Sequence, residues 1–262
     1  MSVLDKIIAA KRLEVAALKK SAIATGARVA FDRGPQRSLQ AALERLALHP
    51  EAPRIIAEVK KASPSAGLLR ADFDPLRLAA EYQAGGAAAL SVVTDAPFFQ
   101  GSVEWLARIR PLVDLPLLRK EFIVDPWQLE ESRQAGADAV LLIAAVLSEV
   151  QLKDFLDIAT ELELECLVEI RDLADAAKVA AVKAPLVGIN NRDLKDFTID
   201  LKTSIDLAAH LPGDRLIVSE SGIESAADIK RLQAAGINAF LIGTSLVKAG
   251  SDRLRLLAEL QR

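Results

Sequence analysis

The sequence predicts an α/β protein: a closed (β/α)8 barrel of the TIM type with an N-terminal helical extension. Three observations predict it. Short apolar runs and amphipathic stretches alternate eight times from residue 55 to the C-terminus. The runs are apolar throughout instead of alternating, as parallel strands covered on both faces are. Ala84-Gly85, Ala135-Gly136 and Ala235-Gly236 each end a helix and lead into a strand, in GGAAAL, GADAVL and GINAFL, so a glycine C-cap recurs at intervals of two units. An open doubly wound sheet is the alternative, but it usually has fewer strands. Residues 1–262 are therefore expected to form one barrel domain, of which 1–50 is the extension.

Residues 3–20 (VLDKIIAAKRLEVAALKK) set Leu4, Ile7, Ile8, Leu13, Val15 and Leu18 among charges, the pattern of an amphipathic helix. Gly26, Gly34 and Pro35 make residues 21–37 a connection, and Ser38 is a candidate N-cap for a second helix reaching residue 48. Residues 55–60 (IIAEVK) lie between Pro53 and a Ser63-Pro64-Ser65 turn and form the first strand. In the helix over 74–84, Asp74 caps and Pro75 takes the first helical position, where its missing N–H is not needed. Further strands are predicted over 88–93, 116–122, 139–144, 165–170, 186–190, 216–219 and 239–242. Helices follow over 102–110, 126–135, 148–161, 173–182, 201–210, 224–235 and 252–261.

With 51% hydrophobic residues, the 262-residue chain has material for one large core. A formal charge of −3 gives no footprint for nucleic acid. The single cysteine, Cys166, excludes an intrachain disulfide and sits in an apolar run, so it reads as a buried small hydrophobe. Asp5, Lys6, Lys11 and Arg12 break up any secretory apolar region, and no apolar run reaches the roughly 18 residues of a membrane span. The expectation is a cytoplasmic protein, monomeric or weakly dimeric, with neither membrane nor nucleic-acid partner.

Active sites of such barrels lie at the C-terminal strand ends. There the chain places Glu58, Lys60 and Ser63; Ser91, Thr94 and Asp95; Arg119, Lys120 and Glu121; Glu169 and Arg171; Asn190, Asn191, Arg192 and Asp193; Ser219, Glu220, Ser221 and Gly222; and Gly243, Thr244 and Ser245. Glu58 and Lys60, two apart on a strand, face the same side. The plain alternative for them is one ion pair plugging the barrel end; for Lys120 it is a pair with Glu121, and for Glu169 a pair with Arg171. The glycines after strands 7 and 8, with residues 244–248 (TSLVK) as a short helix, stand where this fold often holds a phosphate. They serve equally as tight turns. His49 and His210 fall at helix ends or in connections, no His/Cys/Asp/Glu cluster has metal-ligand spacing, and no Gly-x-Gly-x-x-Gly follows a strand. Acid–base chemistry is thus left to lysine and carboxylate, and a lysine in a crowded cationic site is expected to have a lowered pKa.

Eight motifs in order (AEVKKASPS, SVVTDAPFFQGS, LLRKEFIVDPWQ, ADAVLLIAAVL, LVEIRD, VGINNRDL, IVSESGI and FLIGTSLV), with LDKIIAAKRLEVAALK before them, resemble the indole-3-glycerol-phosphate synthase family of tryptophan biosynthesis. The resemblance covers nearly the whole chain; RKEF stands where RKDF is commoner. It implies a lyase that closes, decarboxylates and dehydrates 1-(2-carboxyphenylamino)-1-deoxyribulose 5-phosphate without a cofactor or metal. Carried over by motif, Lys120 protonates the substrate carbonyl, Glu169 is the acid–base carboxylate, and Asn190 holds the reacting oxygen. Lys60 meets the anionic groups and acts in dehydration, oriented by Glu58, while Glu220 and Ser221 complete the rim. Ser63, Gly222, Gly243 and Thr244 bind the phosphate, with Arg192 nearby. An apolar floor of Phe122, Leu142 and Ile143 suits the aromatic ring. A phosphosugar isomerase, which would need a Cys/Asp pair that Cys166 is badly placed to supply, and a barrel kept only for binding are the rival readings.

Overall fold

The computed structural model describes residues 2–25, 33–44, 52–193 and 197–262. Eight strands, β1 Arg54–Val59, β2 Ala89–Val93, β3 Leu117–Lys120, β4 Ala139–Ile143, β5 Glu165–Ile170, β6 Leu186–Asn190, β7 Leu216–Glu220 and β8 Ala239–Ile242, run parallel and pair in chain order. β8 closes on β1 through Arg54↔Ala239 to Ala57↔Ile242. Among the described residues, helices Pro75–Ala84, Glu104–Ile109, Trp127–Gln134, Glu149–Glu161, Leu173–Val182, Lys202–Ala208, Ala226–Gln233 and Arg253–Leu260 cover the outside. The (β/α)8 expectation holds, and strand bounds differ from those read in the sequence by a residue or two.

Local chemistry explains several helix starts. Asp74 accepts from the amides of Leu76 and Arg77, with Pro75 behind it, and Ser148 with Gln151 and Ser225 with Asp228 form capping boxes. One detail of the glycine repeat is corrected. Gly136 and Gly236 are left-handed, with φ of 94° and 81°, but in the first repeat that conformation falls on Gly86 (φ 82°), not Gly85 (φ −79°). The true repeat is therefore Gly86, Gly136 and Gly236, each three residues before the alanine that opens β2, β4 or β8.

Beyond the single 3-10 turns at Arg110–Leu112 and Gly250–Asp252, two elements were not foreseen. A short helix, Ala96–Phe99, follows β2, and Ala62–Ser63 pairs with Gly67–Leu68 as a small antiparallel hairpin after β1. Both stretches are too short to carry a periodic signal. The first helix runs Val3–Thr25, past the expected end, and the second is Leu39–Glu44. Gly26, residues 45–48 of the expected second helix and His49 lie outside the described residues.

Alternation along the strands sorts the core into two parts. Ile56, Ala89, Leu118, Ala139, Leu141, Leu167, Leu186, Val218, Ala239 and Leu241 fill the barrel interior, and Leu39 and Leu43 of the second helix pack with them. The opposite rows, including Ala57, Leu90, Leu117, Val140, Leu142, Val168 and Val187, pack with the outer helices. The second helix is fixed by charge as well: Glu165, at the start of β5, accepts from the Gln40 amide at 2.8 Å and the Ser38 hydroxyl at 2.6 Å. Buried Arg110 donates to Asp138, which also accepts from the amides of Arg37 and Leu117. The second helix therefore seals the N-terminal mouth of the barrel.

Candidate active site

The inner rows that fill the barrel continue upward into polar residues. Ile56 leads to Glu58 and Lys60, Leu118 to Lys120, Leu167 to Glu169, Leu186 through Gly188 to Asn190, Val218 to Glu220, and Leu241 to Gly243. A single cavity at this end is lined by all of Glu58, Lys60, Ser63, Lys120, Glu169, Asn190, Arg192, Glu220, Ser221, Gly222, Gly243 and Thr244. Residues up to 186 positions apart in the sequence (Glu58 and Thr244) are brought together because every strand contributes its last inward side chain.

The charges pair within the end of β1 and across strands. Lys60 Nζ lies 2.5 Å from Glu58 Oε2. Lys120 Nζ lies 3.4 Å from Glu169 Oε2 and is in contact with Glu220 Oε2. The plain alternatives for Lys120 and Glu169 therefore fail, since Glu121 binds Lys11 at 3.0 Å and Arg171 binds Asp193 at 2.8 Å, whereas Glu58 and Lys60 do form the ion pair at the barrel end. The expected lowering of the lysine pKa is also corrected. Burial works against the Lys120 charge, but Glu220, Glu169 and Glu58 outweigh it and push the pKa up, so the ammonium is protonated at neutral pH. The site around it is crowded with carboxylates, not cations. Burial likewise opposes the Glu58 charge, yet Lys60, Lys120 and Arg192 hold its carboxyl below the usual range. For Glu220 burial prevails: against the pull of Lys120, and with Glu169 and Glu58 nearby, its carboxyl is raised to about 7. A partly protonated Glu220 leaves more net positive charge for an anionic ligand.

After β7, Ser221 and Gly222 are both left-handed, with φ of 67° and 80°. A serine held there is uncommon and marks a constrained turn. Asn191 braces it, donating to the Ser221 carbonyl at 3.0 Å and the Ser219 hydroxyl at 2.9 Å while accepting from the Ser204 amide. Gly243 precedes the helix Thr244–Lys248, whose first amides have no intrahelical acceptor. Asn190 accepts from the Arg192 amide at 3.0 Å. Ser63 sits in the hairpin beyond β1, at the cavity's edge.

The apolar part of the cavity includes Phe99, Phe122, Leu141, Ile143, Phe197 and Ile199. The rings of Phe99 and Phe122 are 6.0 Å apart. Leu142 was expected in this floor, but it faces the outer helices; Leu141 takes its place. A strand buried on both faces is apolar at every position, so its sequence does not show which row points inward. Cys166 packs in the outer core, where burial pushes its thiol up to about 12, an inert group away from the cavity.

Sequence reasoning missed the roof. Val3, Leu4 and Ile7 of the first helix line the cavity. One turn on, Lys11 is only 2% exposed and reaches Asp95 at 2.9 Å, Glu121 at 3.0 Å and Glu14 at 2.9 Å. Burial opposes its charge, but Glu121 and Asp95 raise its pKa. Burial also disfavours the Glu121 carboxylate, which Arg119, Lys11, Thr94 and the Phe122 amide nevertheless hold below the usual range. A depressed carboxyl stabilises fully above its ordinary pKa and loses that contribution as pH falls through the folded value, so acid weakens this clamp. Lys11→Met leaves the buried Asp95 without its cation and Glu121 with Arg119 alone, and breaking a buried pair in this way costs about 3–5 kcal/mol. The expected outcome is faster proteolysis within the first helix and a raised KM with kcat less affected, read by limited digestion and steady-state kinetics. The missed signal was the lone lysine on an otherwise apolar helix face.

Comparison with known proteins places these features in context. The family model described as indole-3-glycerol phosphate synthase matches residues 4–258. An indole-3-glycerol phosphate synthase of Albidiferax ferrireducens is 47% identical over 255 residues, covering 97% of this chain and 96% of that one. One of Rhodopirellula baltica is 57% identical over 195 residues, covering 74% of this chain and 75% of its own. A solved structure titled "Native KDPGal structure" aligns with a TM-score of 0.57 over 79% of this chain and 91% of that one; at 14% identity it shares the fold alone.

Proposed function

The chain belongs to the indole-3-glycerol phosphate synthase family of carboxy-lyases, and from that premise we propose how its residues divide the conversion of 1-(2-carboxyphenylamino)-1-deoxyribulose 5-phosphate to indole-3-glycerol phosphate, carbon dioxide and water. The observation that carries the reading is Lys120, a protonated ammonium inside the cavity between Glu169 and Glu220. Lys120 is the general acid. The ring carbon bearing the carboxylate bonds to the ketone carbon as the carbonyl oxygen takes the lysine proton and becomes a hydroxyl. Nitrogen is left as an iminium, which the surrounding carboxylates stabilise. Carbon dioxide then leaves, and the electrons of its bond restore the aromatic ring.

Dehydration follows. Lys60, held by Glu58, protonates the departing hydroxyl, and Glu169 removes a proton from the ring methylene to complete the indole. Two protons given and one taken balance the single proton that the overall decarboxylation consumes. Asn190 holds the reacting oxygen, and Glu220 and Ser221 complete the rim. Phe99, Phe122, Leu141 and Ile143 seat the aromatic ring, and an apolar seat favours loss of a carboxylate. Ser63, Gly222, Gly243 and Thr244 bind the phosphate, with Arg192 beside them. Backbone amides after a glycine turn and at a helix start suit an anion.

The phosphate end is tested with dephosphorylated substrate. It is expected to lose about 10²-fold in kcat/KM, because remote binding energy is used to position the reacting centre, and inorganic phosphate is expected to compete with the intact substrate. Equal turnover of both substrates would contradict the cradle. We place the reaction in the cytoplasm, in a monomer or weak homodimer with no nucleic-acid or membrane partner. The formal charge of −3 speaks against a nucleic-acid partner, and among the described residues no helix is long and apolar enough to cross a membrane.

A further inference from the structure

An inward position on a barrel strand normally carries a side chain that fills one of the interior layers. Gly188 holds such a position on β6, between Leu186 in the core below and Asn190 in the site above. Backbone freedom does not require a glycine there. Gly188 lies within a paired strand, opposite Glu169 of β5 and Val218 of β7, and its φ is not positive. Space does require it. A Cβ at Gly188 would stand 2.1 Å from Glu220 Oε1, well inside any real contact, and a tight 3.2 Å from its Cδ, so the end of the Glu220 side chain would have to move.

The two oxygens of Glu220 are held differently. Oε2 contacts Lys120. Oε1 is buried and has no hydrogen-bond partner among the described residues, so no donor locates it. What it rests against is the bare backbone of Gly188. The same arrangement recurs at the other lysine: a Cβ at Gly243, whose φ of −126° is open to any residue, would stand 2.1 Å from Oε2 of Glu58, the partner of Lys60. At both lysines, the paired carboxylate occupies the volume that a side chain on a neighbouring strand would fill.

We infer that Gly188 is a positioning residue for the reaction: its missing side chain is the seat that holds the Glu220 carboxylate against Lys120. The inference rests on the reading of Lys120 as the acid for its effect on turnover, but the steric coupling of Gly188 to Glu220 does not depend on that reading. A methyl group at 188 does not unfold the strand; it drives the end of the Glu220 side chain away from the lysine.

The test is a double-mutant cycle of Gly188→Ala and Glu220→Ala, followed by kcat, KM, pH profile and unfolding midpoint. Gly188→Ala is expected to lower kcat about 10²-fold, the scale of a misplacement of about 1 Å, with little change in KM. The charge of Lys120, opposed by burial, is upheld by Glu220, Glu169 and Glu58; with Glu220 displaced, activity should begin to fall with rising pH at a lower pH than in the parent. On the Glu220→Ala background the added methyl meets no carboxylate, so kcat should match that of Glu220→Ala alone within about twofold. A Gly188→Ala enzyme with parental kcat, or a loss that multiplies in full onto that of Glu220→Ala, overturns the inference. If Gly188→Ala fails to fold, the double variant decides: folded with the kcat of Glu220→Ala supports the seat, and unfolded overturns it. Should Lys120→Met prove fully active while the coupling persists, the acid assignment falls and the seat stands.

Discussion

Lys120→Met is expected to lower kcat by about 10³-fold in a chain that stays folded, a loss within the range for removing a general acid. Methionine keeps most of the volume of lysine but has no proton to give. The carbonyl oxygen must then take its proton from water, in a cavity whose walls include Phe99, Phe122, Leu141 and Ile143. The fold survives because the carboxylates left behind have an exit. Burial already lifts Glu220 to about 7 with the lysine present, and without Lys120 it keeps its proton instead of standing charged and unpaired. Circular dichroism and the unfolding midpoint check the fold, and indole fluorescence follows product. Parental turnover in Lys120→Met would remove this lysine from the chemistry.

Glu169→Gln is the second large effect, a fall in kcat of about 10²-fold, the lower end for loss of an acid–base group. Glutamine has the same shape and still accepts from Lys120, so substrate binding should be little altered and the loss should appear in kcat, not KM. What the amide cannot do is take the proton whose removal completes the indole. Ring closure and decarboxylation precede that step. A first turnover should therefore release carbon dioxide ahead of indole, which rapid mixing with substrate labelled in its carboxylate resolves. Carbon dioxide and indole slowed in step would move Glu169 out of dehydration.

The barrel was legible because each strand is an apolar run and several helices start on a capping residue, Asp74 and Ser148 among them. The same double burial hid which row faces inward, which is why Leu142 was placed in the floor in place of Leu141. The polar groups stood out as breaks in that apolar pattern. Their electrostatics did not: Lys120 meets Glu220 across 100 residues, and without that contact a raised pKa could not be told from a lowered one. The roof was invisible for the same reason, since Lys11 closes on Asp95 and Glu121 from a helix that by itself reads as a surface helix. Gly188 looks like one more small residue in a buried strand until the carboxylate over it is in place.

The central claim is that this cavity makes indole-3-glycerol phosphate with its own lysines and carboxylates. The most direct measurement is turnover of 1-(2-carboxyphenylamino)-1-deoxyribulose 5-phosphate by the purified chain in buffer containing EDTA, followed by indole fluorescence. A rise in fluorescence with one carbon dioxide released per indole is expected. No rise from folded protein would contradict the claim, and a rise that EDTA abolishes would contradict catalysis by side chains alone.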